Sequence, residues 1–77
     1  MKLKQYREQQ GLEKPQALAQ IVEMGCKMGY DMIGFTYPDY WYLDNEIPPE
    51  PDLSVFEVIA AWSSGNVTME DFNWRSA

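Results

Sequence analysis

Cys26 and a group of carboxylates, Asp39, Asp44, Glu46, Glu50 and Asp52, are the side chains whose types could do chemistry. The chain has no histidine, so the commonest general base and metal ligand is missing. Cys26 has Met, Gly and one lysine, Lys27, around it. A low-pKa nucleophile needs a stronger electropositive setting, and a buried, inert thiol is the better reading. Paired carboxylates can do acid–base work or bind a hard cation. Here they lack both the spacing and the glycine of a Ca²⁺ loop, and no glycine-rich phosphate cradle is present. The expectation is a non-enzyme with no cofactor and no metal, and with solvated acidic loops.

The aromatic group Phe35, Tyr37, Tyr40, Trp41 and Tyr42 is more informative. A base-stacking surface needs cations to follow the nucleic-acid backbone, whereas the charges interleaved here are Asp39, Asp44 and Glu46. Tyr and Trp also anchor protein interfaces. Phe35, Trp41 and Leu43 are expected to pack inward. Tyr40 and Tyr42, with Asp39, Asp44 and Glu46, are then the candidate contacts to a protein.

The elements that must position these groups belong to one small domain, 1–77. A helix from 52 or 53 to Trp62 is the expected centre. Leu53, Phe56, Val58, Ile59 and Trp62 recur at helical spacing, and Ala60 and Ala61 fill most of the remaining circumference. Gly65 or Asn66 is expected to end it in the left-handed conformation. Thr68 and Asp71 have the spacing of a capping box and predict a last helix over 69–74. A first helix over 1–10 ends at Gly11, with Leu3 and Tyr6 inward and Lys2, Lys4, Arg7 and Glu8 mostly outward. A second runs from 15 to 24 or as far as 28, with Leu18, Ile21, Val22 and Gly25 on one face. Gly25 is read as its stop, in preference to a site of close approach. Phe56, Ile59 and Trp62 should be buried against Leu18 and Ile21. Residues 45–51 hold three prolines and read as an extended connector, with Ile47 inserted in the core.

Residues 30–45 admit two readings. A β-hairpin over 30–43 would turn at Pro38 and Asp39. Alternatively, Thr36 caps a helix with Pro38 in its first turn.

A single cysteine excludes an internal disulfide framework and suggests a reducing cytoplasm. No membrane-length run or signal-type segment is visible. The net charge of −6 is uneven. Lys2, Lys4, Arg7, Lys14 and Lys27 all precede residue 28, and Arg75 is the sole cation after it. An acidic remainder repels phosphate and suits a basic protein partner, although acidic loops can serve solubility alone.

Taken in order, several stretches are similar to small phage and bacterial regulators of the Cro/repressor-like helix-turn-helix class. Leu3-Lys4-Gln5-Tyr6-Arg7-Glu8-Gln9-Gln10-Gly11-Leu12 resembles that class's first helix and turn, and Gln16-Ala17-Leu18-Ala19 the start of its second. Ile47-Pro48, the helix ending at Trp62, and Gly65-Asn66-Val67-Thr68-Met69-Glu70-Asp71-Phe72 resemble its closing part. The resemblance implies a mainly α, compact domain of four to five short helices, helix-turn-helix-like, and favours the helix over the hairpin at 30–45. It also implies a DNA-binding transcriptional regulator, as monomer or homodimer. The middle departs from the pattern: Gly25 comes late, and 37–46, where a base-reading helix should lie, has no Arg or Lys. Duplex contact would then fall to Lys2, Lys4, Arg7, Lys14, Lys27 and Asn45. The alternative is an acidic protein-binding module, such as a phage-encoded, DNA-mimicking inhibitor of a basic, nucleic-acid-binding host protein. Motif order favours the regulator, and charge favours the module.

Overall fold

The computed structural model describes residues 1–45 and 53–72. The expectations for Glu46, for Ile47 and the connector, and for the chain beyond Phe72 lie outside these residues. In order come α1 (Leu3–Gln9), α2 (Lys14–Lys27), α3 (Tyr37–Asp44), α4 (Leu53–Trp62) and a single 3₁₀ turn, Met69–Asp71. There is no strand among the described residues, so the 30–43 hairpin gives way to a helix.

Local chemistry explains the helix starts. Glu13 precedes α2, and its N–H donates to Gln16 Oε1 at 2.8 Å, with Pro15 in the first turn. Thr36 precedes α3 and is held by Asp39, as described below. Thr68 repeats the pattern: its N–H donates to Asp71 Oδ2 at 2.8 Å and its hydroxyl to the same oxygen at 3.2 Å. That box starts a turn of only three residues, shorter than the helix expected from residue 69.

Gly25 does not stop α2. It is buried inside a continuous helix of 14 residues, and a Cβ there would lie 2.4 Å from Met32 Sδ. Its role is close approach by Met32, which returns across the helix after the turn. The stop is Gly29, at φ +90°, which lets the Tyr30 N–H reach the Gly25 carbonyl at 2.9 Å. Helix α4 ends in a comparable way: Ser64 and Gly65 take positive φ, and the Gly65 N–H reaches the Ala60 carbonyl at 2.8 Å. Asn66 is not in the left-handed region.

The core sits between α2 and α4, which pack together most extensively, with α3 against α2 and α1. Ala17 and Ile21 of α2 meet Val55, Phe56, Val58 and Ile59 of α4, and Leu3, Met32, Tyr40, Leu43, Val67 and Phe72 complete one cluster. Leu18 is half-buried at its edge, as is Trp62, whose ring meets Tyr6 edge-on at 5.1 Å. Phe56 packs on Phe72 at 4.9 Å. Among the described residues, no helix is long and apolar enough to cross a membrane.

Candidate functional site

Helix α3 has two unlike faces, and its sequence sets both. The Asp39 carboxylate accepts the Thr36 N–H at 2.9 Å and the Thr36 hydroxyl at 3.0 Å, which fixes the start of the helix. Pro38 occupies the first turn. From there Tyr40, Leu43 and Asp44, at three- and four-residue spacing, point into the protein. Tyr37, Trp41 and Tyr42 point out, each about two-fifths exposed (42%, 39% and 41%).

The inner face is locked by a buried polar triad. Arg7 of α1 donates from Nε to Asp44 Oδ1 at 3.0 Å and from Nη2 to Oδ2 at 3.4 Å. Its Nη1 donates to the Leu12 carbonyl at 2.8 Å. The Tyr40 hydroxyl donates to Asp44 Oδ1 at 3.0 Å. Both Asp44 oxygens are thereby satisfied, as a buried carboxylate requires. The hydrogen bond to Asp44 raises the Arg7 pKa and keeps the guanidinium charged. Burial first, then the nearby Asp44 carboxylate, pushes the Tyr40 phenol far above its ordinary value, so it acts as a donor.

This arrangement corrects several expectations. Arg7, a candidate duplex contact, is buried against Asp44 because it sits four residues after Leu3 on the inward stripe. Tyr40 and Asp44, candidate protein contacts, are buried with it. Trp41, expected inside, is outside: one residue turns a helix by about 100°, so burying Tyr40 turns Trp41 to solvent. Asp39 spends its carboxylate on the cap. Tyr42 is exposed as expected. Glu46 lies outside the described residues. Cys26 is exposed on α2, not buried, because Gly25 takes the inward position beside it.

The other cations are scattered. Lys2 precedes α1 and donates to the Asp71 carbonyl at 3.1 Å. Lys4 is exposed, and Lys14 is half-buried at the start of α2. Lys27 stands at the far end of α2, about 20 Å from Lys14 at the helical rise, and pairs with Glu23 at 3.2 Å. Asn45 ends α3, and its amide donates to the Trp41 carbonyl at 2.9 Å.

What remains outward on and beside α3 is aromatic and apolar. The Trp41 and Tyr42 rings meet edge-on, centroids 5.5 Å apart and planes at 82°. Ile33, in the connection before α3, is 88% exposed. Tyr37 and Trp41 belong to the aromatic group noted in the sequence, but neither they nor Ile33 were among the expected protein contacts. The usable signal was Tyr40 and Asp44 at four-residue spacing, which matches one buried arginine.

Elsewhere, an open groove of about 390 Å³ is lined by Gln20, Glu23, Met24, Lys27 and Trp62. Its charges pair with each other, and the Trp62 indole N–H donates to Gln20 Oε1 at 2.9 Å. Among the described residues, no three His, Cys, Asp or Glu side chains are grouped to hold a metal. Comparisons with protein families, curated proteins and solved structures find no match for this chain.

Proposed function

We propose that the chain is a protein-binding module whose contact element is α3. The observation that carries this reading is the exposure of Tyr37, Trp41 and Tyr42 on a helix whose opposite face is fixed by Arg7, Tyr40 and Asp44. A rigid helix carrying exposed aromatic side chains offers contact area at little entropic cost. The net charge of −6 selects a basic partner, such as a protein whose nucleic-acid-binding site the module occupies. Steering by Asp39 and Asp44 is not part of this reading, since one caps α3 and the other is buried.

Duplex binding by a helix-turn-helix-like regulator is the second reading. The order α1, α2, α3, with α3 packed on both earlier helices, favours it. Against it stand the nine residues 28–36 between α2 and α3, where a helix-turn-helix uses a turn of about three or four, and an α3 without cations. The deciding experiment places a photo-crosslinking residue at Tyr42 and identifies the adduct in a host lysate. A single basic protein, lost when Tyr37 and Trp41 are changed to Ala in a fold of unchanged melting temperature, supports the module. Adducts to duplex DNA alone overturn it.

A further inference from the structure

We propose that α3 has a second seating, turned so that Tyr37 and Trp41 face the core, and that the Arg7–Tyr40–Asp44 triad is the device that excludes it. The helix has no single apolar side. Tyr40, Leu43 and Asp44 are buried, while Tyr37, Trp41 and Tyr42 are exposed. Asp44 follows Tyr40 by four residues, Trp41 by three and Tyr37 by seven, so position 44 borders two helical stripes. One stripe is Tyr40, Leu43 and Asp44; the other is Tyr37, Trp41 and Asp44. At about 100° per residue, a turn of roughly 70° about the helix axis exchanges them. The Thr36–Asp39 cap is local to α3 and turns with it.

Apolar area alone does not choose between a stripe of Tyr and Leu and one of Tyr and Trp. The polar contacts choose. Arg7 Nε and the Tyr40 hydroxyl both donate to Asp44 Oδ1, each at 3.0 Å. Arg7 cannot follow a turning helix, because its Nη1 is tied to the Leu12 carbonyl at 2.8 Å. Turning α3 would draw Asp44 away and leave a buried guanidinium without its counterion, which is strongly unfavourable. A buried ion pair adds little stability over well-packed apolar residues, and its best-attested use is to fix a register. The register fixed here is the one that displays Trp41. That display matters to function through the protein-binding reading, on which the functional sense of this inference rests.

The test uses the full chain and the variant Arg7→Met/Tyr40→Phe/Asp44→Leu, in which position 44 is apolar on both stripes. The indole N–H resonance of Trp41, assigned by its loss in Trp41→Phe, is followed in the presence of a soluble paramagnetic agent. In the parent the agent should broaden a single resonance. In the triple variant a second Trp41 resonance should appear that the agent does not broaden, with nuclear Overhauser contacts to core methyl groups. Tyr40→Phe is the second variant. It keeps the Arg7–Asp44 pair and should fold, and saturation transfer should show the protected state as a minor population. The triple variant decides where it folds, and Tyr40→Phe decides where it does not. A single exposed Trp41 resonance in the deciding variant, with no exchanging partner, overturns the inference and leaves the triad a tie between α1 and α3 only. None of these signals involves a partner, so loss of the Tyr42 crosslink removes the protein-binding reading without changing this result.

Discussion

Arg7 and Asp44 stand 37 positions apart in sequence and meet inside the protein, Nε to Oδ1 at 3.0 Å, tying α1 to α3. The pair decides which way α3 faces. With Asp44 turned to Arg7 and Tyr40 donating to the same oxygen, Trp41 has nowhere to go but outward. Removing one partner leaves a buried charge without a counterion. Arg7→Met or Asp44→Asn should therefore cost about 3–5 kcal/mol in urea unfolding. The triple change Arg7→Met, Asp44→Leu, Tyr40→Phe removes every polar member and should recover most of that loss. If the triple variant is less stable than either single one, the triad has been misjudged.

How much of this was legible follows from the range of each interaction. The start of α3 depends on Thr36, Pro38 and Asp39, which are neighbours, yet the same Pro38 and Asp39 also suit a hairpin turn, so these residues offered the helix as one of two readings without separating them. The 68–71 cap was equally local. The rotation of α3 was not readable, because aromatic residues surround it on every side and no apolar stripe distinguishes in from out. The deciding group, Arg7, sits on another helix and looked like a surface cation. Gly25 misled for a similar reason: as a stop it needs only its own helix, whereas as a close-packing site it needs Met32, beyond the turn. Cys26, read as a buried thiol from its Met and Gly neighbours, lies outside because Gly25 beside it already occupies the inward position.

Gly25→Ala sets two effects against each other. Alanine improves helix propensity by about 0.8–1.0 kcal/mol. Its Cβ would fall within 3 Å of three Met32 side-chain atoms, the nearest at 2.4 Å, and overpacking costs about 1–3 kcal/mol. Met32 is buried, so moving it disturbs the core, and a net loss of about 1 kcal/mol is expected. In a Met32→Ala background the clash is gone, and Gly25→Ala should become stabilising. Thermal melts of the four proteins in this cycle give the coupling directly.

The pH profile should decline at both ends for identifiable reasons. Tyr40 keeps its proton in the fold, held by burial and by Asp44, while the unfolded chain ionises near its usual value of about 10. Its folded value is raised, so its contribution is present below about pH 10 and is lost as pH rises further. Asp71 behaves oppositely. The Thr68 N–H holds its carboxyl below the usual 3.8, so its contribution is present above that value and is lost as pH falls through the folded one. Tyr40→Phe should flatten the alkaline limb and Asp71→Asn the acid limb. Denaturant midpoints measured across pH check both.

Phe56 and Trp62 test the centre of the core in graded fashion. Phe56 is 3% exposed and packs on Phe72, so Phe56→Ala should cost about 3–5 kcal/mol. Trp62 is half-buried and holds Tyr6 and Gln20 at the surface end of α4, so Trp62→Ala should cost less. A reversed order in chemical unfolding would mean that α4 is seated differently.

Duplex affinity separates the two functional readings most sharply. Binding to DNA falls with salt in proportion to the phosphates neutralised, so a regulator needs several free cations on one surface. Here Arg7 is buried, Lys27 is paired with Glu23, and Lys14 and Lys27 lie at opposite ends of α2. Against a chain of net charge −6, the remaining exposed cations should give no measurable duplex binding even at low salt, where repulsion from the carboxylates is least screened. Fluorescence anisotropy of a labelled duplex over a salt series measures this. Tyr42→Lys with Trp41→Arg places two cations on the outward face of α3 and should raise non-specific duplex affinity without shifting the melting temperature. Tight binding by the parent chain, with a salt slope that Lys4→Ala, Lys14→Ala and Lys27→Ala together flatten, would instead assign those lysines to phosphate contact and return α3 to a supporting role.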